Sequence, residues 1–182
     1  MFIDLLKSRR SFRTFLEKEV EPEKIDILIE AVLRAPSSRS LNPWEFIVVS
    51  DKEILEKLSM TKPLGSAFVK DASLAIVVCA DSGKSDVWIE DSSIASIIIL
   101  LTAESLGLGG CWSQIRERMH NESTTAQNYV SQVLNLPERL SVESILAIGY
   151  PKEKPAPHTK EELQYEKVHA NSYCIAYGKD SC

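Results

Sequence analysis

The chain has 182 residues, of which 44% are hydrophobic and 26% charged, and it carries a formal net charge of −5. That balance suits one globular domain with a sizeable core and argues against wholesale disorder. The acidic total argues against a general nucleic-acid binder, and the longest apolar run, residues 94–103, is too short for a membrane span and is followed by Glu104.

In chain order, residues 2–7 predict a short amphipathic helix with Phe2, Leu5 and Leu6 on one face. Pro22 between two acids opens a second helix, along which Ile25, Leu28, Ile29, Val32 and Leu33 keep helical spacing up to Ala35-Pro36. WEFIVVS at 44–50 predicts a strand, and Asp51 caps a helix running to about Leu58. LAIVVCA at 74–80 is a continuous apolar run suited to the centre of a sheet covered on both faces. A long helix follows, predicted from Asp86 to about Leu106 and closed by Gly107. Its middle is apolar nearly all round, which predicts burial on every side, partly against another subunit. Residues 109–112 predict a turn into a short strand, Ser123 or Thr124 a further helix, and 142–149 a last strand. From Tyr150 the chain is rich in proline and poor in apolar residues, an extended arm that needs a surface to lie on. The whole is one α/β layered domain over 1–182, with 151–182 as the arm.

The N-terminal stretch MFIDLLKSRR has Asp4 inside it and its basic charge after the apolar part, the reverse of a secretory signal. Cys79, Cys111, Cys174 and Cys182 show no CxxC spacing, so a cytoplasmic protein with reduced thiols is expected. Neither the histidines nor the cysteines have metal-ligand spacing, and no GxSxG elbow is present. If the protein is an enzyme, a bound cofactor carries the chemistry.

Three stretches could hold a ligand. SRRSFRTF at 8–15 places Arg9, Arg10 and Arg13 around Ser11 with no acid among them. A basic helix end in solvent explains this; so does a phosphate site, because the planar arginine fork matches phosphoryl oxygens. PSSRSLNPWEF at 36–46 is a polar helix-to-strand loop, or a run of short donors and acceptors lining a ligand. In GLGGCWSQ at 107–114, Gly107 reads as a helix cap. The pair Gly109-Gly110 reads as a place where backbone can approach a flat ligand.

Taken in order, these stretches resemble the FMN-dependent nitroreductase family. The sequence of features is SRRS-x-R-x-F, then PSS-x-x-x-x-PW-x-F-IVV, IVVCAD, a long apolar helix, GLG-x-CW, and IGYP before a proline- and lysine-bearing tail. The resemblance covers almost the whole chain and points to a short form of the family. It implies a three-layer α/β/α sandwich with a mixed central sheet and an intertwined homodimer with two FMN sites at the interface, the arm wrapping the partner. It implies that Arg9, Arg10, Ser11 and Arg13 hold the FMN phosphate and ribityl chain. Pro36, Ser37, Ser38, Ser40 and Asn42 belong to the flavin pocket, Ser40 standing where the family usually has Asn and Asn42 where it has Gln. Trp112, Ser113 and Gln114 face the isoalloxazine ring, with the backbone N–H of Gln114 near flavin N5. His158 and Lys160 stand where relatives carry a cation on the phosphate.

The implied activity is transfer of electrons from NAD(P)H through FMN to a small electron-poor acceptor (a nitroaromatic, a quinone or an enone) by a ping-pong mechanism, without a protein acid or base. The alternatives are a specialised flavin chemistry such as reductive dehalogenation, and a flavin-binding protein that is not an enzyme. No nucleic-acid or membrane partner is expected.

Overall fold

The computed structural model describes residues 1–178; the thiol of Cys182 and the end of the arm lie outside the described residues. Among the described residues, five α-helices and four strands form the domain. Helices α1 (Phe2–Ser8) and α2 (Pro22–Leu33) precede strand β1 (Trp44–Val49), and helix α3 (Lys52–Ser59) leads to β2 (Leu74–Asp81). Helix α4 (Trp88–Ser105) then leads to β3 (Gly109–Gln114), and α5 (Ala126–Leu134) to β4 (Leu140–Gly149).

The sheet order is β1-β2-β4-β3, and every neighbouring pair of strands is antiparallel. The expected mixed sheet is therefore antiparallel in its four strands. Its parallel component is an isolated bridge between Ser11 and Gly110 beside β3. Seven residues of β2, Leu74–Ala80, are buried, as a strand between two layers requires. Alternate residues point to opposite layers: Ala75 and Val77 pack towards α3 and α5, Ile76 and Val78 towards α2 and α4. A fully buried leucine or isoleucine in such layers is worth about 1.5–3 kcal/mol.

Local signals explain most element ends. The Asp51 carboxylate accepts from the Ile54 N–H at 3.0 Å and starts α3. Thr125, one residue beyond the expected start, caps α5 by accepting from the Asn128 N–H at 3.1 Å. Helix α4 begins at Trp88, later than the predicted Asp86, whose carboxylate is instead paired with Arg39. It ends at Gly107 in the left-handed region at φ 75°. Leu33, counted on the buried face of α2, is exposed in the single chain.

Helix α4 is not buried on every side within one chain. Ala95, Ile99 and Ala103 are buried against the sheet and α2, while Ile94 and Ile97, at mid-helix, are each 40% exposed. Cys79, Cys111 and Cys174 are free thiols. Among the described residues no helix is long and apolar enough to cross a membrane.

Candidate functional site

The segment after α1 runs as an extended chain between the end of β3 and the exit of β4. The Phe12 N–H donates to the Gly110 carbonyl at 3.0 Å, Leu16 N–H to Tyr150 at 2.9 Å, and Lys152 N–H to Thr14 at 3.1 Å. Phe12 and Phe15 are buried and anchor it; Ser11 and Arg13 are exposed. Among the described residues, none of Arg9, Arg10 and Arg13 pairs with a carboxylate. The Arg13 guanidinium lies 5.9 Å from the Phe68 ring centroid, and Arg10 donates to the Ala156 carbonyl of the arm.

Lys62, after α3, joins this group and was not singled out from the sequence. Burial lowers its pKa first, and the charge of Arg118 lowers it further. Burial pushes the Cys111 thiol up, against the opposing pull of Arg13, Lys62 and Arg9. Several cations thus converge on the start of β3 with no direct ion pair among the described residues, Glu162 of the arm being the acid that feels Arg10; such a set suits a phosphate monoester.

The paired glycines have a different reason from the expected one. A Cβ on Gly109 would lie 2.6 Å from the Phe12 ring, and one on Gly110 would lie 2.6 Å from a Leu100 methyl. The missing side chains make room for the protein's own core, Phe12 and Leu100. What β3 offers a ligand is its edge. Since the Gly110 carbonyl points to Phe12, away from β4, strand parity turns the backbone groups of Trp112 and Gln114 to the same outer side. There the Trp112 indole N–H donates to Gln114 Oε1 at 2.8 Å, and Gln114 Nε2 donates to Glu143 Oε1 at 3.1 Å. Ser113 points to the other face, where its hydroxyl donates to the Gly65 carbonyl at 3.0 Å.

The loop at 36–42 lies elsewhere. Three of its residues sit in the left-handed region, Arg39 at φ 52°, Ser40 at φ 55° and Asn42 at φ 44°. Such backbone costs energy for non-glycine residues and persists where surrounding contacts enforce it. Those contacts are specific. The buried Asp91 carboxylate on α4 accepts from the Ser38 N–H at 2.8 Å and from the Ser85 hydroxyl at 3.1 Å. The Ser37 hydroxyl donates to Asn42 Oδ1 at 2.6 Å and accepts from the Asn42 N–H at 2.9 Å. Pro36 and Ser40 are exposed.

The structure gathers Arg9, Arg10, Ser11 and Arg13 at the start of β3. Trp112 and Gln114 lie further along that strand, Gln114 opposite Ser144, which meets Ser96 on α4, and the loop of Pro36, Ser37, Ser38, Ser40 and Asn42 lies at the N-terminal end of α4. Ser8 bonds Glu104 near the end of α4 at 2.9 Å, whereas Ser38 is tied to Asp91 near its start. At 1.5 Å per residue the two anchors are about 20 Å apart. His158 is turned to Glu162, Nδ1 to Oε2 at 2.8 Å, and Lys160 is exposed in the same turn of the arm. Asp91 and Glu143 were not singled out from the sequence; the signal that marks them is an acid inside an apolar helix and inside an apolar strand.

This architecture is an α+β sandwich carrying an arginine-rich end beside a free strand edge. Residues 6–62 and 60–150 match the nitroreductase family, and the chain belongs to that family. It is 48% identical to a solved FMN-dependent nitroreductase from Clostridium difficile, covering 94% of this chain and 99% of that one, with a TM-score of 0.93. A Methanothermobacter thermautotrophicus protein that carries the name NADH dehydrogenase/NAD(P)H nitroreductase is 36% identical over 177 residues, 94% of this chain and 87% of its own length. The NADPH:FMN oxidoreductase of Vibrio harveyi, solved with NAD+, is 25% identical with a TM-score of 0.76, covering 94% of this chain and 77% of that one.

Proposed function

We propose that this protein is an FMN-dependent oxidoreductase. It takes electrons from NAD(P)H and passes them to a small electron-poor acceptor, a nitroaromatic, quinone or enone, in a ping-pong cycle. The observation that carries this reading is the unbalanced cluster of Arg9, Arg10 and Arg13 beside the free edge of β3. The names of the relatives, FMN-dependent nitroreductase and NADPH:FMN oxidoreductase, support the choice of cofactor and donor.

The residues present fit FMN. Arg9, Arg10 and Arg13, with the Ser11 hydroxyl, hold the phosphate, and Lys62 adds positive potential nearby. Each charge-assisted bond contributes about 1.5–3 kcal/mol. His158 and Lys160 reach this anion from the arm. The Gln114 N–H on the outer edge of β3 is aimed where negative charge develops at the ring, a donor fixed before reaction. Trp112 and Gln114 border the ring, while Ser113 holds the strand to the Gly65 loop. FMN held there would supply two-electron redox chemistry between NAD(P)H and the acceptor. The protein supplies position and electrostatics.

The loop residues Pro36, Ser37, Ser38, Ser40 and Asn42 complete the pocket from a second copy of the chain. The loop and the arginines lie at opposite ends of α4, and the exposed Ile94 and Ile97 lie midway between them. A two-fold axis through that face buries the isoleucines and sets the arginine end of one chain against the loop end of the other. Each homodimer then holds two equivalent sites, and the arm crosses the partner. The test is the absorption spectrum of the purified protein before and after anaerobic NADH. Flavin bands that bleach, in a protein of dimeric mass, are expected; protein that stays colourless after incubation with FMN overturns the cofactor, and a monomeric mass overturns the shared pocket.

A further inference from the structure

The register of β4 contains an irregularity that the function above does not use. Ser144 pairs with Val78 and Val142 with Cys79, so Glu143 is the extra residue of a β-bulge. The burial pattern records the switch. Ile145 and Ala147 below the bulge face the layer of α3 and α5, and so do Val142 and Leu140 above it. Without the inserted residue, regular alternation places Glu143 with Ile145 in that apolar layer. With it, Glu143 turns to the α4 side, where Ser144 meets Ser96 at 3.1 Å and Gln114 meets the carboxylate.

Glu143 is 3% exposed, and its Oε2 has no partner among the described residues. A buried carboxylate with one satisfied oxygen costs stability, so an apolar residue would serve the sheet better. We propose that Glu143 is a positioning residue of the flavin site, whose carboxylate locks the Gln114 carboxamide, and through it the Trp112 indole, in one orientation at the edge of β3. The assignment rests on the functional reading above only for the presence of a flavin at that edge.

The chemistry of the lock is one-directional. An ionised carboxylate only accepts and an indole N–H only donates. The amide between them must therefore give its NH2 to Glu143 and its oxygen to Trp112. A proton on Glu143 adds a donor while the other oxygen can still accept, so the amide is no longer held to one orientation by a charge-assisted bond and the Trp112 bond weakens. Burial pushes the Glu143 carboxyl up, reinforced by Glu117 and Glu90; the bond from Gln114 and the charge of Arg116 oppose this. The switch therefore lies above the ordinary carboxylate range. An ionised Glu143 one hydrogen bond from Gln114 also disfavours added electron density on a flavin at this edge, lowering its potential.

The test follows the indole N–H resonances of 15N-labelled, FMN-free dimer, with Trp112 assigned from W112F. In the native protein the Trp112 resonance is expected to move in one step as pH rises through the raised titration of Glu143. In E143Q the step disappears, and in Q114M, which keeps Glu143 but cuts the link, it disappears as well. Trp44 and Trp88 report whether each variant is folded. A Trp112 resonance that does not titrate, or that titrates equally in a folded E143Q or Q114M, overturns the lock. In the FMN-loaded protein, E143Q is expected to raise the flavin midpoint potential; an unchanged potential removes the electrostatic role. If the native protein does not bind FMN, the functional reading fails while the titration still decides the lock.

Discussion

The two ends of helix α4 are built in opposite ways. At its C-terminal end, Arg9, Arg10 and Arg13 crowd together on an extended segment pinned by Phe12 and Phe15, and charge is left unbalanced. At its N-terminal end, the backbone of Arg39, Ser40 and Asn42 is forced into the left-handed region, and the charges there are neutralised by Asp91 hydrogen bonds and the Arg39–Asp86 pair. One end carries positive charge that an anion would balance; the other holds strained backbone that presents short polar groups. In the dimer proposed above, the apolar face between them would join two chains and bring the two ends together.

The strongest way to break this pairing is Ile97→Glu at the middle of the exposed face. Loss of the dimer is expected to abolish FMN retention at both ends, although the substitution touches neither; gel filtration with light scattering and the flavin absorbance read both effects. A charged face that leaves mass and flavin unchanged separates α4 from the interface.

At the arginine end, Arg10→Ala is expected to weaken FMN binding by about tenfold to a hundredfold, the loss of one charge-assisted contact. Lys70→Ala, a cation elsewhere, is expected to leave it unchanged. Fluorescence titration of the two variants checks this, and equal effects remove the phosphate assignment.

At the loop end, Asp91→Ala leaves two donors, the Ser38 N–H and the Ser85 hydroxyl, without their acceptor. A loss of about 2–4 kcal/mol is expected in denaturant unfolding. Asp91→Asn, which can still accept, is expected to lose less.

The smallest effect concerns the chain leaving β4. The Tyr150 hydroxyl, first among the causes, and then Lys18 hold the Glu21 carboxyl down at about 2. A depressed carboxylate stabilises above its unfolded value of 4.5 and loses that contribution as pH falls towards about 2. Glu21→Gln is expected to make the unfolding midpoint less steep in that window.

Much of this fold was legible in the residues. Alternation, caps and apolar runs carry local information, and α2, β1, α3, β2 and β4 appear within a few residues of where their patterns place them. Strand order and direction were not, because pairing depends on long-range register that no local pattern encodes. The arginines were legible as a cluster since they are adjacent in sequence. Lys62 was not, because only the fold brings the loop after α3 to β3. The packing at Gly109 and Gly110 was not legible for the same reason, as Phe12 and Leu100 fill their space from distant parts of the chain. Glu143 was not singled out, although an acid in an apolar strand is a signal, and its direction depends on a bulge that alternation does not anticipate.

The central claim is that one flavin pocket is assembled from the arginine end of one chain and the loop end of another. Co-expression of an R10A/R13A chain with an S38W chain, each with its own tag, yields mixed dimers in which the unaltered halves meet once. Flavin absorbance against protein concentration is expected to give one FMN per mixed dimer and none for either variant alone. A mixed dimer without flavin, from subunits that pair and fold normally, contradicts the account.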